Sequence, residues 1–346
     1  MSHNREISNL LKTISESVKN AQSQEDLIAS LSPAINFEGK IGYDNSSTWW
    51  VVLASALAIA LSIMFGIPNG RSMEDWAIGV ISLSVITGFA FLVLTFSRRQ
   101  KLNNLSDKII RTNILFANRL SELPINGKDL AKFLCKEFAE FNRGNDKKEI
   151  LSLFEGSHQG DRHTFNFKVY DYHYVIRRTE TRSVSDGKGG MRTETRTVYD
   201  HYYRHGLMMD FDLYNSLAVI EDKIKIPGEI FRPASNEFNR KFKAVAQTEL
   251  TAAKFLKPAV VLAFEDLGKT FTDLNFEINS AGKLCLSFKD DDLIFTKRKT
   301  GIENPADFVK ELRENSTPVK LQMLLDFISN IMRLSDNNFG EKTYVN

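Results

Sequence analysis

Two stretches of the chain hold no charged residue and are too apolar to leave in water. One lies between Asp44 and Arg71 and contains WWVVLASALAIALSIMFGI, Trp49 to Ile67. The other lies between Asp75 and Arg98 and contains WAIGVISLSVITGFAFLVLTF, Trp76 to Phe96. Each matches the ~20 residues that an α-helix needs to cross a bilayer core. Trp49, Trp50 and Trp76 stand at the edges of these windows, where interfacial aromatic belts form. Pro68-Asn69-Gly70 supplies turn chemistry between them, so the two segments predict a transmembrane hairpin with both flanks on one side.

Arg98, Arg99 and Lys101 follow the second span directly, whereas the linker has Arg71 beside Glu74 and Asp75. The excess of Lys and Arg predicts a multi-pass protein of a bacterial cytoplasmic (inner) membrane with both termini cytoplasmic. The first span starts too far along the chain for a cleavable signal peptide. Ala54, Ala58 and Ser62 make a small-residue stripe on the first span, and Gly79 and Gly88 lighten the second. Such stripes allow close helix packing, within the hairpin or between copies.

Residues 1–48 predict a cytoplasmic amphipathic helical segment. Ile7, Leu10, Leu11, Ile14 and Val18 share one face, and Ser23 with Asp26 resembles a cap for a second short helix. That apolar stripe could bind a partner helix, lie on the membrane or pack on the chain's own cytoplasmic part. The spans occupy 49–96, as 49–67 and 76–96, and a helical connector is expected over 97–145. From Ile150 the periodicity changes from helical to alternating. HTFNFKVYDYHYVI places Phe165, Phe167 and Val169 on one face and Tyr170, Tyr172, Tyr174 and Ile176 on the other, which suggests a bulge or bend near Tyr170. Later strand-like runs, among them DLNFEIN, KLCLSFK and DLIFTK, mix with helical ones without regular alternation. The expected fold is therefore α+β: the hairpin, then a cytoplasmic mixed α+β domain over 146–346 with a long projecting β-hairpin at 170–205.

That β-hairpin is the most specific reading. Thr-Glu-Thr-Arg occurs at Thr179–Arg182 and again at Thr193–Arg196. Folding the chain about Lys188 sets Glu180 against Arg196, Arg182 against Glu194 and Thr181 against Thr195. Gly187-Lys188-Gly189 forms a three-residue turn, and outward the register sets Tyr174 against Tyr202 and His173 against Tyr203. The outer half is polar on both faces, so it is expected to project, and to be mobile or to pair with another chain. Glu180, Arg182, Lys188, Glu194 and Arg196 are the candidate partner-binding residues.

The formal net charge of +2 gives no reason to expect nucleic acid as a partner. Cys135 and Cys285 form no C-x-x-C pair, fit a reducing compartment and exclude a four-cysteine zinc site within one chain. Asp171, His173, His201, Tyr203 and His205 fall on one face at the hairpin base. Asp171, His173, His201 and His205 are candidate ligands for a divalent metal, although a polar, aromatic sheet face touching solvent or a partner is the plainer explanation. Gly268-Lys269-Thr270 has Ala263 where a phosphate loop needs glycine, and it ends a helix rather than opening one. Asp290-Asp291-Asp292 reads as a solvated turn or a cation site. Lys297-Arg298-Lys299 could meet anionic lipid.

The two spans, the helix after them, the YDY element at Tyr170–Tyr172 and the segment NEFNRKFKAVAQTELTAAKFLKPAVVLAFEDL resemble DUF3137, a family of bacterial membrane proteins of unknown function associated with LemA-type proteins. The closest match is Phe238–Leu267. The resemblance implies placement in a bacterial inner membrane and assigns no catalytic residue. No cofactor is expected. The sequence thus predicts a membrane-anchored scaffold or adaptor serving a protein partner or a homo-oligomer in the lipid bilayer. The alternative is a membrane-bound metal-dependent hydrolase using the His/Asp face.

Overall fold

The computed structural model describes residues 3–67, 73–160, 162–185, 190–314 and 316–335. The proposed turns at Pro68-Asn69-Gly70 and Gly187-Lys188-Gly189 lie outside the described residues. Contacts group the chain into two units, 1–117 with 297–316, and 118–296 with 317–346. The connector expected over 97–145 is thereby shared: 97–117 belongs to the first unit and 118–145 to the second.

The first unit is helical: α1 (His3–Asn20), α2 (Gln24–Ala29), α3 (Ser32–Ile35), α4 (Ser46–Phe65), α5 (Asp75–Ala117) and, from the later segment, α10 (Pro305–Glu314). The α1 stripe is buried against α2, α3, α5 and α10 in one core with Leu27, Leu31, Ile109, Phe308 and Leu312. Of the three destinations open to it, the stripe takes its own fold. Ser23 caps α2 through its hydroxyl, which accepts from the Asp26 amide at 3.1 Å. α10 and the turn before it are held to α5 by Asn113 Nδ2 donating to the Leu312 carbonyl at 2.8 Å and the Ile302 amide donating to Ser106 Oγ at 3.0 Å. Arg298 is spent within this unit, on Asp107 at 2.6 Å and Asn103 at 2.7 Å.

α4 and α5 are long and apolar enough to cross a membrane. Their large side chains point outward: Leu57 is 61% exposed, Phe89 66% and Phe96 70%. The seam between them is made of small and hydroxylated residues. Thr95 donates to Thr48 at 3.2 Å, and seven residues further along each helix a Cβ on Gly88 would lie 3.4 Å from that of Ser55. The heptad spacing gives an antiparallel, coiled-coil-like contact. Ser62 and Gly88 join this seam and Ala58 is half-buried, but Ala54 and Gly79 face outward. The close stripe is thus Thr48-Ser55-Ser62 rather than Ala54-Ala58-Ser62. At the base, Arg98 donates to Asn45 Oδ1 at 2.9 Å and covers the Tyr43 ring, while Asn4 and Asp44 exchange two hydrogen bonds.

The second unit is built on a nine-stranded antiparallel sheet, in the order β1-β2-β3-β4-β9-β8-β5-β7-β6. The strands are β1 (Ser121–Glu122), β2 (Lys148–Gln159), β3 (Thr164–Ser185), β4 (Met191–Asp210), β5 (Leu217–Ile220), β6 (Glu229–Phe231), β7 (Lys243–Ala246), β8 (Asn275–Ile278) and β9 (Lys283–Phe288). Helix α6 (Gly127–Glu137) and a 3-10 turn (Ala139–Asn142) cover one face, over Ile150, Leu153, Tyr170, Tyr172 and Tyr174. On the other face Phe276 of β8 meets Phe264 of α9 (Pro258–Thr270) at 5.3 Å, and Phe264 meets Phe327 of α11 (Val319–Ser335) at 5.1 Å. Edge-to-face aromatic pairs of this kind contribute about 0.5–1.5 kcal/mol each beyond their burial. Two short helices, α7 (Asn236–Lys241) and α8 (Glu249–Phe255), complete this layer, with Phe238 and Phe255 against Phe264.

Two local expectations are corrected. β3 alternates without interruption; the register shift lies in β2, where Leu151 is extra between Ile150 and Ser152, opposite Tyr172 and Asp171. The segment DLIFTK forms no strand, because Asp290 and Asp292 are tied to Lys320 at 3.3 and 2.6 Å as the chain leaves the sheet. The same pairing closes the Asp290–Asp292 run.

Candidate functional site

The β3–β4 ribbon has the register read from the repeat. Glu180 pairs with Arg196, Thr181 with Thr195, Arg182 with Glu194, Tyr174 with Tyr202 and His173 with Tyr203. β2 leaves β3 at Tyr174, and β9 joins β4 only from His205. Beyond Arg177 and Tyr199 the two strands pair with each other alone among the described residues, for eight residues on each strand, or roughly 27 Å.

Alternation gives the ribbon two unlike faces. Thr179, Thr181 and Ser183 lie beside Thr197, Thr195 and Thr193, a ladder of hydroxyls with Thr181 Oγ1 3.5 Å from Thr195 Oγ1. The opposite face is an ionic zipper. Glu180 accepts from Arg196 at 2.8 Å and from Arg178, Arg178 also reaches Asp200 at 2.5 Å, and Arg182 lies 3.5 Å from Glu194. The hydrogen bonds from Arg196 and Arg178 hold the Glu180 carboxyl below the usual range. Lys188, the fifth candidate, lies outside the described residues.

At the ribbon's base the candidate metal ligands form two pairs. His173 and His201 share a hydrogen bond, Nε2 to Nδ1, at 2.9 Å, and the His173 ring stacks on Tyr203 with centroids 4.9 Å apart. Burial, then the neighbouring His201 and Lys147, depresses the His173 pKa and favours its neutral form. Asp171 accepts from His205 Nδ1 at 2.6 Å and from the Ser152 hydroxyl. The one-face expectation is met, and these contacts take one ring nitrogen of each of His173, His201 and His205 and both carboxylate oxygens of Asp171. Among the described residues no group of three or more His, Cys, Asp or Glu side chains is disposed to hold a metal.

Sequence reasoning missed a buried ionic network under the 3-10 turn. Glu140, 1% exposed, accepts from Arg143 at 2.8 and 2.9 Å, from Arg204 at 2.7 Å and from Asn275 at 3.0 Å. Arg204 also donates to the Asp273 carbonyl and Ser287 Oγ, and Arg143 reaches Asp222 at 2.6 Å. Burial opposes the charge on Glu140, but Arg204 and Arg143 outweigh it and hold the carboxyl below its usual range. Glu140 and Arg143 stand three apart and were legible as a pair; Arg204 and Asn275 arrive from distant strands. The neighbouring Glu277 accepts the Ala139 and Glu140 amides at 2.7 and 3.2 Å, and burial pushes its pKa up to about 7. This network fastens the turn to the sheet. Beside it, α6, β2 and β9 border a cleft of about 650 Å³ lined by Leu130, Phe133, Met208, Lys168 and Lys283, among others.

No family model matches the chain, and no curated protein or solved structure does so either.

Proposed function

We propose that the chain is a membrane-anchored scaffold or adaptor at the cytoplasmic face of a bacterial inner membrane. The α4–α5 hairpin is the anchor. Its large apolar side chains face outward, while Thr48, Ser62 and Thr95 face the seam, the arrangement that a lipid solvent favours. Arg98, Arg99 and Lys101 beside the second span support cytoplasmic termini by the positive-inside rule. The DUF3137 resemblance is consistent with this placement.

The observation that carries the reading is the ribbon. A two-stranded extension with exposed strand edges and polar faces contributes nothing to the core of its unit, so its use is to be met by another protein. The two pairs formed by Asp171, His173, His201 and His205 favour a structural base for the ribbon over a hydrolytic metal site.

The test replaces Thr179–Thr197 with an Asn-Gly turn, which closes Arg178 onto Val198 as a two-residue hairpin. The shortened protein is expected to fold and insert but to lose the proteins, or the copies of itself, that the full chain captures from native membranes. Unchanged capture would refute the role of the ribbon. Digestion of the second unit by protease added outside intact cells would refute the topology.

A further inference from the structure

We infer that the outer edge of β4 pairs with the same edge of a second copy of this chain, about a two-fold axis at Thr195. The inference rests on the scaffold reading and names its partner.

The two ribbon edges differ in what they can accept. On β3 the outer edge is taken as far as Arg177: the Val175 amide donates to the Lys147 carbonyl at 2.9 Å, and Asn145 exchanges hydrogen bonds with Arg177 at 2.7 and 3.0 Å. On β4 no strand is paired with the outer edge from Met191 to Tyr203 among the described residues. Strand β4 also has the right backbone phase. Since Val175 and Arg177 of β3 turn their amides away from β4, Thr195, Thr197 and Tyr199 stand in the non-hydrogen-bonded positions of the β3–β4 ladder. Their N–H and C=O groups therefore point to the open edge. Two copies related at Thr195 overlap from Met191 to Tyr199, wholly within that edge.

The charges select this partner. Thr-Glu-Thr-Arg is complementary to itself when antiparallel, which is how Thr179–Arg182 and Thr193–Arg196 already meet within the chain. At the two-fold axis Glu194 of each copy falls opposite Arg196 of the other, Thr193 opposite Thr197, and Thr195 opposite its own mate. An edge guarded by like charges repels every copy. This one attracts in the stated register and sets Glu against Glu, or Arg against Arg, when the axis moves by one residue to Glu194 or Arg196. The hydroxyl ladder and the ionic zipper would each continue across four strands. Contacts this polar are weak in solution, and confinement of both copies to one membrane raises their effective concentration.

The experiment uses the full-length protein in membranes. Under mild oxidation Thr195→Cys is expected to give a disulfide-linked dimer, exceeding the yield from Thr181→Cys, on the same face but the far strand, by about tenfold or more. The unsubstituted chain controls for Cys135 and Cys285. A second arm adds Glu180→Arg, Arg182→Glu, Glu194→Arg and Arg196→Glu together, which restores the 180–196 and 182–194 pairs and those between like copies, while Arg178 gives up Glu180 and keeps Asp200. These chains are expected to cross-link with themselves but not with chains of the original charge. No dimer through Thr195→Cys, equal yields at the two positions, or free mixing of the two charge types would overturn the inference. If ribbon-dependent capture of a different protein persists beside such a failure, the scaffold reading stands and only the self-pairing falls.

Discussion

Replacing Glu140 with glutamine removes one charge and almost no volume, so its cost reports the network rather than packing. The carboxylate takes four hydrogen bonds, three of them from two arginines. Arg143 keeps Asp222 after the change, at 2.6 Å and partly in solvent. Arg204 is 3% exposed, and its remaining partners, the Asp273 carbonyl and Ser287 Oγ, are neutral. Glu140→Gln thus strands a buried guanidinium, for which the loss of stability is about 3–5 kcal/mol. Adding Arg204→Met removes the stranded charge, so the double variant is expected to be more stable than Glu140→Gln alone. The three tryptophans, Trp49, Trp50 and Trp76, lie in the first unit, so their fluorescence does not follow this event. Pulse proteolysis of the full-length protein in detergent over a urea series does. A loss below about 1 kcal/mol, or a double variant weaker than the single one, would refute the reasoning. Glu140 also sets a pH dependence: its depressed pKa gives stability that is present above about 4.5 and lost as pH falls.

Glu277 acts in the opposite sense. Its carboxyl, raised from 4.5 to about 7, holds its proton longer folded than unfolded, so stability falls as pH rises through that interval and is level above it. The fall is on the order of 3 kcal/mol, and Glu277→Gln is expected to flatten it when urea midpoints are compared at pH 5 and 7.5. At Gly206 an added Cβ would lie 2.1 Å from the Leu286 carbonyl oxygen and 2.6 Å from the Tyr170 hydroxyl. Gly206→Ala is therefore expected to part β4 from β9 and cost about 1–3 kcal/mol, seen as faster hydrogen exchange in both strands.

What the sequence made legible was what composition or symmetry leaves no freedom over. Two charge-free windows had to become long apolar helices, and a charged repeat complementary only to itself had to pair in one register. The β5 strand, Leu217–Ile220, escaped notice because it is four residues long and buried on both faces, so it shows no alternation. The bulge was assigned to β3 because the apolar pattern there moves from Val169 to Tyr170. That move reflects the cover of α6 and the 3-10 turn over the tyrosine face, while the extra residue sits in β2. The seam of α4 and α5 escaped in part because alanine suits lipid as well as a helix contact; hydroxyls, which need a partner in an apolar solvent, were the better guide. Beyond the Glu140–Arg143 pair, the network could not be foreseen from spacing, since Arg204 and Asn275 lie 64 and 135 residues from Glu140.

Helix α5 runs unbroken from Asp75 to Ala117, with no glycine or proline after Gly88. Its apolar span and the stretch that grips α10 through Asn113 are therefore one stiff rod. In the proposed membrane anchor, a ten-degree tilt of the apolar stretch, such as thicker or thinner lipid would impose, would swing the far end of the following ~30 Å by about 5 Å. Under the proposed anchoring, lipid thickness would become a mechanical input to the helical unit, delivered through a lever that has no joint at which to absorb it.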